Sequence, residues 1–451
     1  MSISMLRLPG YSPQHGSIFL EIIIAIGILA ALIGAIASLV VASYDLVGYS
    51  RTRITARHLA TEKMEIIRNL PYSEVAVLGG VPAGSLPQLE TIERNGLPYT
   101  IRTNVVYIDD PFDGLAPADM LPIDYKRARV DVSWTGTFAS DATITMITDI
   151  APKGIESVGE GGTLSILVFD ALAQVVPQAE VRIQNAEVNP AIDLTVLSDS
   201  NGRVMLPGSP VCFECYQITV TKEGFSLDRT YTTAEVAHPA KPPATVNDQS
   251  ITEISFAIDR VATLTVYSTR GREDGYAFLS NQFFQLTGTK QIGTDTLEDP
   301  VFKYDVLNKT DNGGSVTLSN MEWDIYTLTI PSPDWDFAGS NPFSPLALLP
   351  GGSQIWQFVT VPHQDYTLLF KVTEASGSAI PDATLHLLGP GNYDEALFSG
   401  PAAAPDFGQA FFSPLTAGTY SGEATKSGYL TTSFEATASG NVTNTLILNP
   451  L

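Results

Sequence analysis

Cysteine, histidine and positive charge are all scarce in this chain. Two cysteines and five scattered histidines in 451 residues cannot furnish a zinc centre built on four cysteines. Lysine and arginine number 25 against 48 aspartates and glutamates, a formal net charge of −23. Phosphate binding needs a basic face, so nucleic acid is excluded as a partner. The sequence also lacks Gly-x-Ser-x-Gly, His-Glu-x-x-His, a Walker loop and Gly-x-Gly-x-x-Gly. No histidine stands near a candidate nucleophile, so nothing supports an enzyme or calls for a cofactor. Charge is sparse throughout, at 16% of residues, beside 36 glycines and 30 prolines. That balance favours many short strands joined by turns over long soluble helices. The length implies roughly three to five units.

One long hydrophobic run is present. His15 to Ser43 reads HGSIFLEIIIAIGILAALIGAIASLVVAS, and no charge falls between Ile22 and Ala42. As a helix rising ~1.5 Å per residue, that run spans about 31 Å, enough to cross a bilayer. Glu21 stands at its start, where a carboxylate in the apolar zone costs a few kcal/mol unless it is partnered. A cleaved secretory signal would use "AIA" at Ala35–Ala37, but only Arg7 precedes the run. A plain anchor accounts for the length and leaves Glu21 unexplained.

Beyond the run, "TARHLATEKMEIIRNLPY" places Ala60, Met64, Ile67 and Leu70 at helical spacing, and Pro71 ends the helix. Residues 72–152 read as a small antiparallel sheet. Asn95-Gly96 marks a hairpin, and "KRARVDVSW" alternates Ala128, Val130, Val132 and Trp134 on one face. The loop "DDPFDGLAPAD" gathers Asp109, Asp110, Asp113 and Asp119, weak candidates for calcium. Pro111 and Met120 break the EF-hand spacing, so a solvated turn fits better. A linker covers 153–162. Three mutually similar segments follow, 163–258, 259–362 and 363–451, whose alternating strands and turns argue stacked β-sandwiches. Cys212 and Cys215, in "CFEC", form a small-loop disulfide if this region is exported. Their turn-and-strand flanks fit a redox-active pair at a helix start less well.

"Gly16-Ser17-Ile18-Phe19-Leu20-Glu21" followed by an apolar helix resembles the class III leader of type IV pilins and secretion pseudopilins. The resemblance implies cleavage by prepilin peptidase between Gly16 and Ser17 and N-methylation of Ser17. It also implies that Glu21 neutralises a neighbour's amine during assembly. The first mature residue is Ser rather than the commoner Phe, and the helix has no proline in mid-membrane. "ATEKMEIIRNLPYSEV" and "YTIRTNVVYIDDP…DYKRARVDVSW" resemble the stalk exit and headgroup of minor pilins.

The three later segments resemble carboxypeptidase-regulatory-like and collagen-adhesin B-type domains, prealbumin-like sandwiches. The match rests on Pro177 to Ala179, Gly202 and Tyr216 to Phe225 in the first, and on Pro381 to Ala383, Gly408 and Tyr420 to Tyr429 in the third. The prolines read as edge-strand residues and the glycines as turns. Related domains carry Lys–Asn cross-links, for which Lys371 and Asn444 are the candidate pair.

The expected fold is therefore α+β at the N-terminus, a leader (1–16), a long helix (17–71) and a pilin-like sheet (72–152), followed by all-β sandwich domains in tandem. The expected function is that of a non-enzymatic, minor pilin-like subunit. Its partners are prepilin peptidase, other pilin subunits, membrane lipid and an extracellular protein or carbohydrate ligand. It passes once through the cytoplasmic membrane with its C-terminal domains outside, then joins a surface filament. Arg51, Arg53, Arg57, Lys63 and Arg68 follow the helix, against Arg7 before it, which the positive-inside rule reads as the opposite orientation. The alternative is an anchored binding module that does not polymerise.

Overall fold

The computed structural model describes residues 17–81, 83–109, 124–135, 143–152 and 161–451. They fall into two compact units: one holds the helix and most of the N-terminal sheet, the other holds everything from Gly161 onward.

The first unit is built on one helix, Ser17–Asn69. Nothing in that stretch breaks a helix until Pro71, which disfavours helical backbone at the residue before it. Its two halves differ. From Ile22 to Val47 the large apolar side chains are exposed on every side of the helix. Further on, Thr52, Ala56, Leu59, Ala60, Lys63, Met64 and Ile67 are buried, recurring every three or four residues on one face. That face packs on an antiparallel sheet of four strands in sequence order: Leu89–Arg94, Leu97–Ile108, Tyr125–Trp134 and Ile144–Ile150. The hairpin at Asn95-Gly96 has positive φ at both residues, 55° and 75°, and pairs Arg94 with Leu97. These are the dihedral signs of a type I′ turn. Ala128, Val130, Val132 and Trp134 all enter the core beneath the helix, with Tyr99 and Ile101. Lys126, 1% exposed, donates to Tyr72 O at 2.9 Å and sits 4.4 Å from the Tyr72 ring centroid.

The second unit repeats one plan three times. In each repeat the first strand runs parallel to the last: Gly162–Phe169 beside Ile251–Ala257, Ala262–Thr269 beside Ser353–Pro362, and Thr367–Thr373 beside Asn441–Ile447. A second, antiparallel sheet completes each sandwich, as in Tyr393–Phe398, Thr384–Gly389, Gly418–Thr425 and Thr432–Ala438 of the third. Alternate residues from both sheets fill the core, for example Phe370, Leu385, Phe412 and Tyr420.

Three buried devices recur at matching positions and explain the sequence similarity. Gly202, Gly314 and Gly408 all have positive φ (70°, 76°, 67°), and each carbonyl accepts from the first strand, at Val168, Ser268 and Val372. Ser198, Thr310 and Ser399 each take a backbone N–H at 2.9–3.0 Å, from Ala179, Gln282 and Ala383. Tyr216, Tyr326 and Tyr420 each donate a phenolic hydrogen to a carbonyl upstream, on Pro210, Glu322 and Thr416. A buried phenol needs such a partner.

One sequence expectation is corrected. Pro177 and Pro381 are turn residues, not edge-strand residues: each precedes a residue at positive φ (Gln178 60°, Asp382 50°), and the strands begin later, at Glu180 and Thr384. The first and second sandwiches also share a small sheet. His238–Pro239 of the first repeat pairs with Gln291–Thr294 of the second, which continues to Pro300–Phe302. This inserted hairpin also explains why the second repeat is the least similar in sequence.

Candidate functional site

At the N-terminus, Ser17 is the first helical residue and Glu21 the fifth. Gly16 lies outside the described residues, as do the side chains of Ser17 and Glu21. The segment they introduce reaches a mean hydropathy of 2.8 over eighteen residues, with none of that window buried. A helix apolar all round has its favourable solvent in lipid or in other helices.

Of the acidic loop, Asp109 is buried at 4% exposure, while Asp110, Asp113 and Asp119 lie outside the described residues. Among the described residues no three His, Cys, Asp or Glu side chains are grouped to hold a metal.

Cys212 and Cys215 are joined as a disulfide with Cα atoms 6.0 Å apart. They begin the strand Cys212–Thr221, which agrees with the turn-and-strand reading of their flanks. The loop interrupts the tyrosine device of the first repeat: its carbonyl partner is six residues upstream of Tyr216, where the other two repeats use four. The insertion projects Phe213, 75% exposed, and Glu214 at φ 48°, whose N–H donates to Thr245 Oγ1 at 2.9 Å.

Lys371 and Asn444 do not meet as a cross-link pair. Lys371 stands opposite Thr445 in the parallel register, and Asn444 opposite the core residue Phe370. Successive side chains alternate faces, so the amine and the amide occupy opposite sides of the sheet. Lys371 Nζ instead donates to Ser344 O of the second sandwich.

That lysine lines a groove of about 490 Å³ where the second and third sandwiches meet. Its walls carry Trp335, Phe337, Thr327, Thr329 and His363 from one side, and Lys371, Asn441 and Thr443 from the other. Asp336, with a side chain 3% exposed, ties the two sandwiches together below it. It accepts from His363 Nδ1 at 2.7 Å, Gln364 N at 2.8 Å and Asn441 Nδ2 at 2.6 Å. The Asp336 carboxylate raises the His363 pKa, by hydrogen bonding and by charge. Burial lowers the Lys371 pKa.

A second polar cluster holds the same junction. Arg272 donates to Asp406 at 2.7 Å and to the carbonyls of Phe398 and Gln409, and Tyr276 Oη donates to Asp406 at 2.8 Å. Burial and the Asp406 carboxylate push the Tyr276 phenol up to about 12. The fully buried Gln409 grips both backbone groups of Ser340. No spacing in the sequence signals this cluster, because each of these bonds joins residues 69 or more positions apart.

No family model matches the chain, and no curated protein matches it. Similar solved structures include the Bacillus anthracis TIE protein, at 14% identity and a TM-score of 0.21, covering 79% of this chain and 72% of that one. A streptococcal ancillary pilin is similar at 9% identity and a TM-score of 0.18, covering 64% of this chain and 99% of that one. BcpA, the major pilin subunit of Bacillus cereus, is similar at 9% identity and 0.16, with 64% and 100% covered. The sandwich architecture rests on strand pairing and core packing, not on these likenesses.

Proposed function

We propose that this chain is a minor pilin-like subunit of a type IV pilus or related filament. In this reading prepilin peptidase cleaves between Gly16 and Ser17, Ser17 is N-methylated, and the helix is held first in the cytoplasmic membrane and then among the helices of other subunits. Three tandem sandwiches are displayed outside the cell to bind a protein or carbohydrate. One observation carries the reading: a single helix whose first half is apolar and exposed all round, and whose second half packs one face on an antiparallel sheet. Such a helix needs lipid or like helices for half its length and a headgroup for the rest. Glu21, at the fifth position of that helix, would counter the cationic amine left by cleavage, which the helix dipole also favours.

Mass spectrometry of the N-terminal peptide of the mature protein tests this. The expected species begins at N-methyl-Ser17. A start at Ser38 would replace the proposal with a secretory signal, and an intact Met1 end with a plain anchor.

A further inference from the structure

We infer that the groove between the second and third sandwiches is a binding site for an acidic carbohydrate, with a sugar carboxylate held by Lys371 and a sugar ring laid on Trp335. This deepens the proposed display function by naming a ligand class.

The argument begins with an unmatched charge. Lys371 projects from the outer face of Thr367–Thr373 into the groove, where Nζ donates to the Ser344 carbonyl and makes no ion pair with a described carboxylate. An ammonium has three donors, so two remain for a ligand. The one carboxylate in the groove wall, Asp336, is buried and already accepts from His363, Gln364 and Asn441. Lys371 therefore presents an ammonium without a carboxylate partner to a ligand, in a chain whose net charge is −23, while Asp334 and Asp365 stand near His363. Half-burial of the amine strengthens its pairing with an incoming anion, and its lowered pKa reflects the same desolvation.

The other walls select the anion's class. Trp335 is half-buried, fixed in a strand paired with Ser353–Pro362, and offers an amphipathic ring. Thr327 and Thr329 expose hydroxyls at alternate positions of one strand, and Thr443 does so across the groove. A rigid aromatic face with the Arg270 guanidinium 6.0 Å from its centroid, a row of hydroxyls and the Lys371 ammonium match a sugar that carries alcohols and a carboxylate. A volume of about 490 Å³ lies in the range of small-ligand sites. The Asp336 tie between the sandwiches keeps both walls in register, so little ordering cost falls on binding.

The test is calorimetric titration of the full chain in detergent with trigalacturonate, alongside the same trisaccharide reduced at its carboxylates. Trigalacturonate should bind, and the reduced sugar should bind at least about tenfold more weakly, as expected for loss of a charged hydrogen bond. Lys371→Met and Trp335→Ala should each weaken trigalacturonate by a similar factor, while Lys309→Met, outside the groove, should not. Absence of binding, equal binding of the reduced sugar, or unchanged binding by Lys371→Met overturns the inference. So does displacement by a glutamate hexapeptide at equal concentration, which would make the ligand an acidic peptide. If a groove variant fails to fold, the two sugars compared on the wild-type chain still decide. Because binding is read on isolated chains, a negative result leaves filament assembly untouched, and a wrong mature N-terminus leaves the groove untouched.

Discussion

If Glu21 counters a neighbouring amine as proposed, replacing it separates anchoring from assembly. Replacing it with Ala removes a group costly in lipid, so membrane insertion and Gly16–Ser17 cleavage should persist. Incorporation into filaments should fall, because a buried amine without its counter-charge costs about 3–5 kcal/mol. Glu21→Gln keeps the shape and should also assemble poorly. The readout is the fraction of processed protein in sheared filaments against that left in membranes. Normal incorporation of both variants would favour the anchored binding module. Two glycines offer a sharper comparison. Gly202 and Gly224 have nearly the same φ, 70° and 75°, but a Cβ at Gly202 would meet Val168 O at 2.6 Å, and one at Gly224 would meet nothing within 4 Å. Gly224→Ala should cost about 1 kcal/mol from backbone conformation alone. Gly202→Ala should cost about 2 kcal/mol or more, since carbonyl and methyl cannot both stay. Equal costs in denaturant melts would show that the first strand yields freely.

Among the elements, the tyrosine-anchored turn is the repeated unit of stability. Tyr420 donates to Thr416 O and accepts from Thr416 N, both at 3.0 Å. Tyr420→Phe removes both bonds to the exposed Thr416 backbone, whose groups water can then reach, and should cost about 0.5–1.5 kcal/mol in chemical denaturation. The Cys212–Cys215 loop modifies this same turn in the first sandwich. A loop so short contributes about 2 kcal/mol in the chain-entropy model. Paired Cys212→Ser and Cys215→Ser substitutions should therefore lower stability modestly without unfolding the sandwich. Thiol labelling of denatured, non-reduced protein should find neither cysteine free, and labelling of both would remove the disulfide from the account.

Across the whole second unit, polar ties rather than a shared apolar core join the second and third sandwiches. Arg272→Met would leave the Asp406 side chain, 9% exposed, with Tyr276 as its remaining charge-relieving partner. A cost of about 2–4 kcal/mol is expected, seen as calorimetric unfolding of these sandwiches splitting into two transitions. The His363–Asp336 pair adds a pH dependence. Its raised folded pKa means the histidine's contribution is complete below the unfolded value of about 6.5 and is lost as pH rises through the folded value. Melting temperature should therefore decline as pH rises above about 6.5, and His363→Gln should flatten that decline.

Much of this molecule is legible in its sequence because it depends on local chemistry. The 3.6-residue spacing of Ala60, Met64 and Ile67, the alternation from Ala128 to Trp134 and the Asn95-Gly96 turn each encode their own geometry within a few residues. The repeat signature is legible for the same reason, since Gly202 and Gly408 must adopt backbone that other residues resist. The role of Pro177 is less legible, because a turn proline and an edge-strand proline are written with the same letter. Only the tertiary structure places Lys371 on the face opposite Asn444, since that depends on which strands lie side by side. It alone joins Asp336 to Asn441 and Arg272 to Asp406, 105 and 134 positions apart. Contacts at such separation leave no period in a sequence; they exist because two finished sandwiches bring distant segments to one junction.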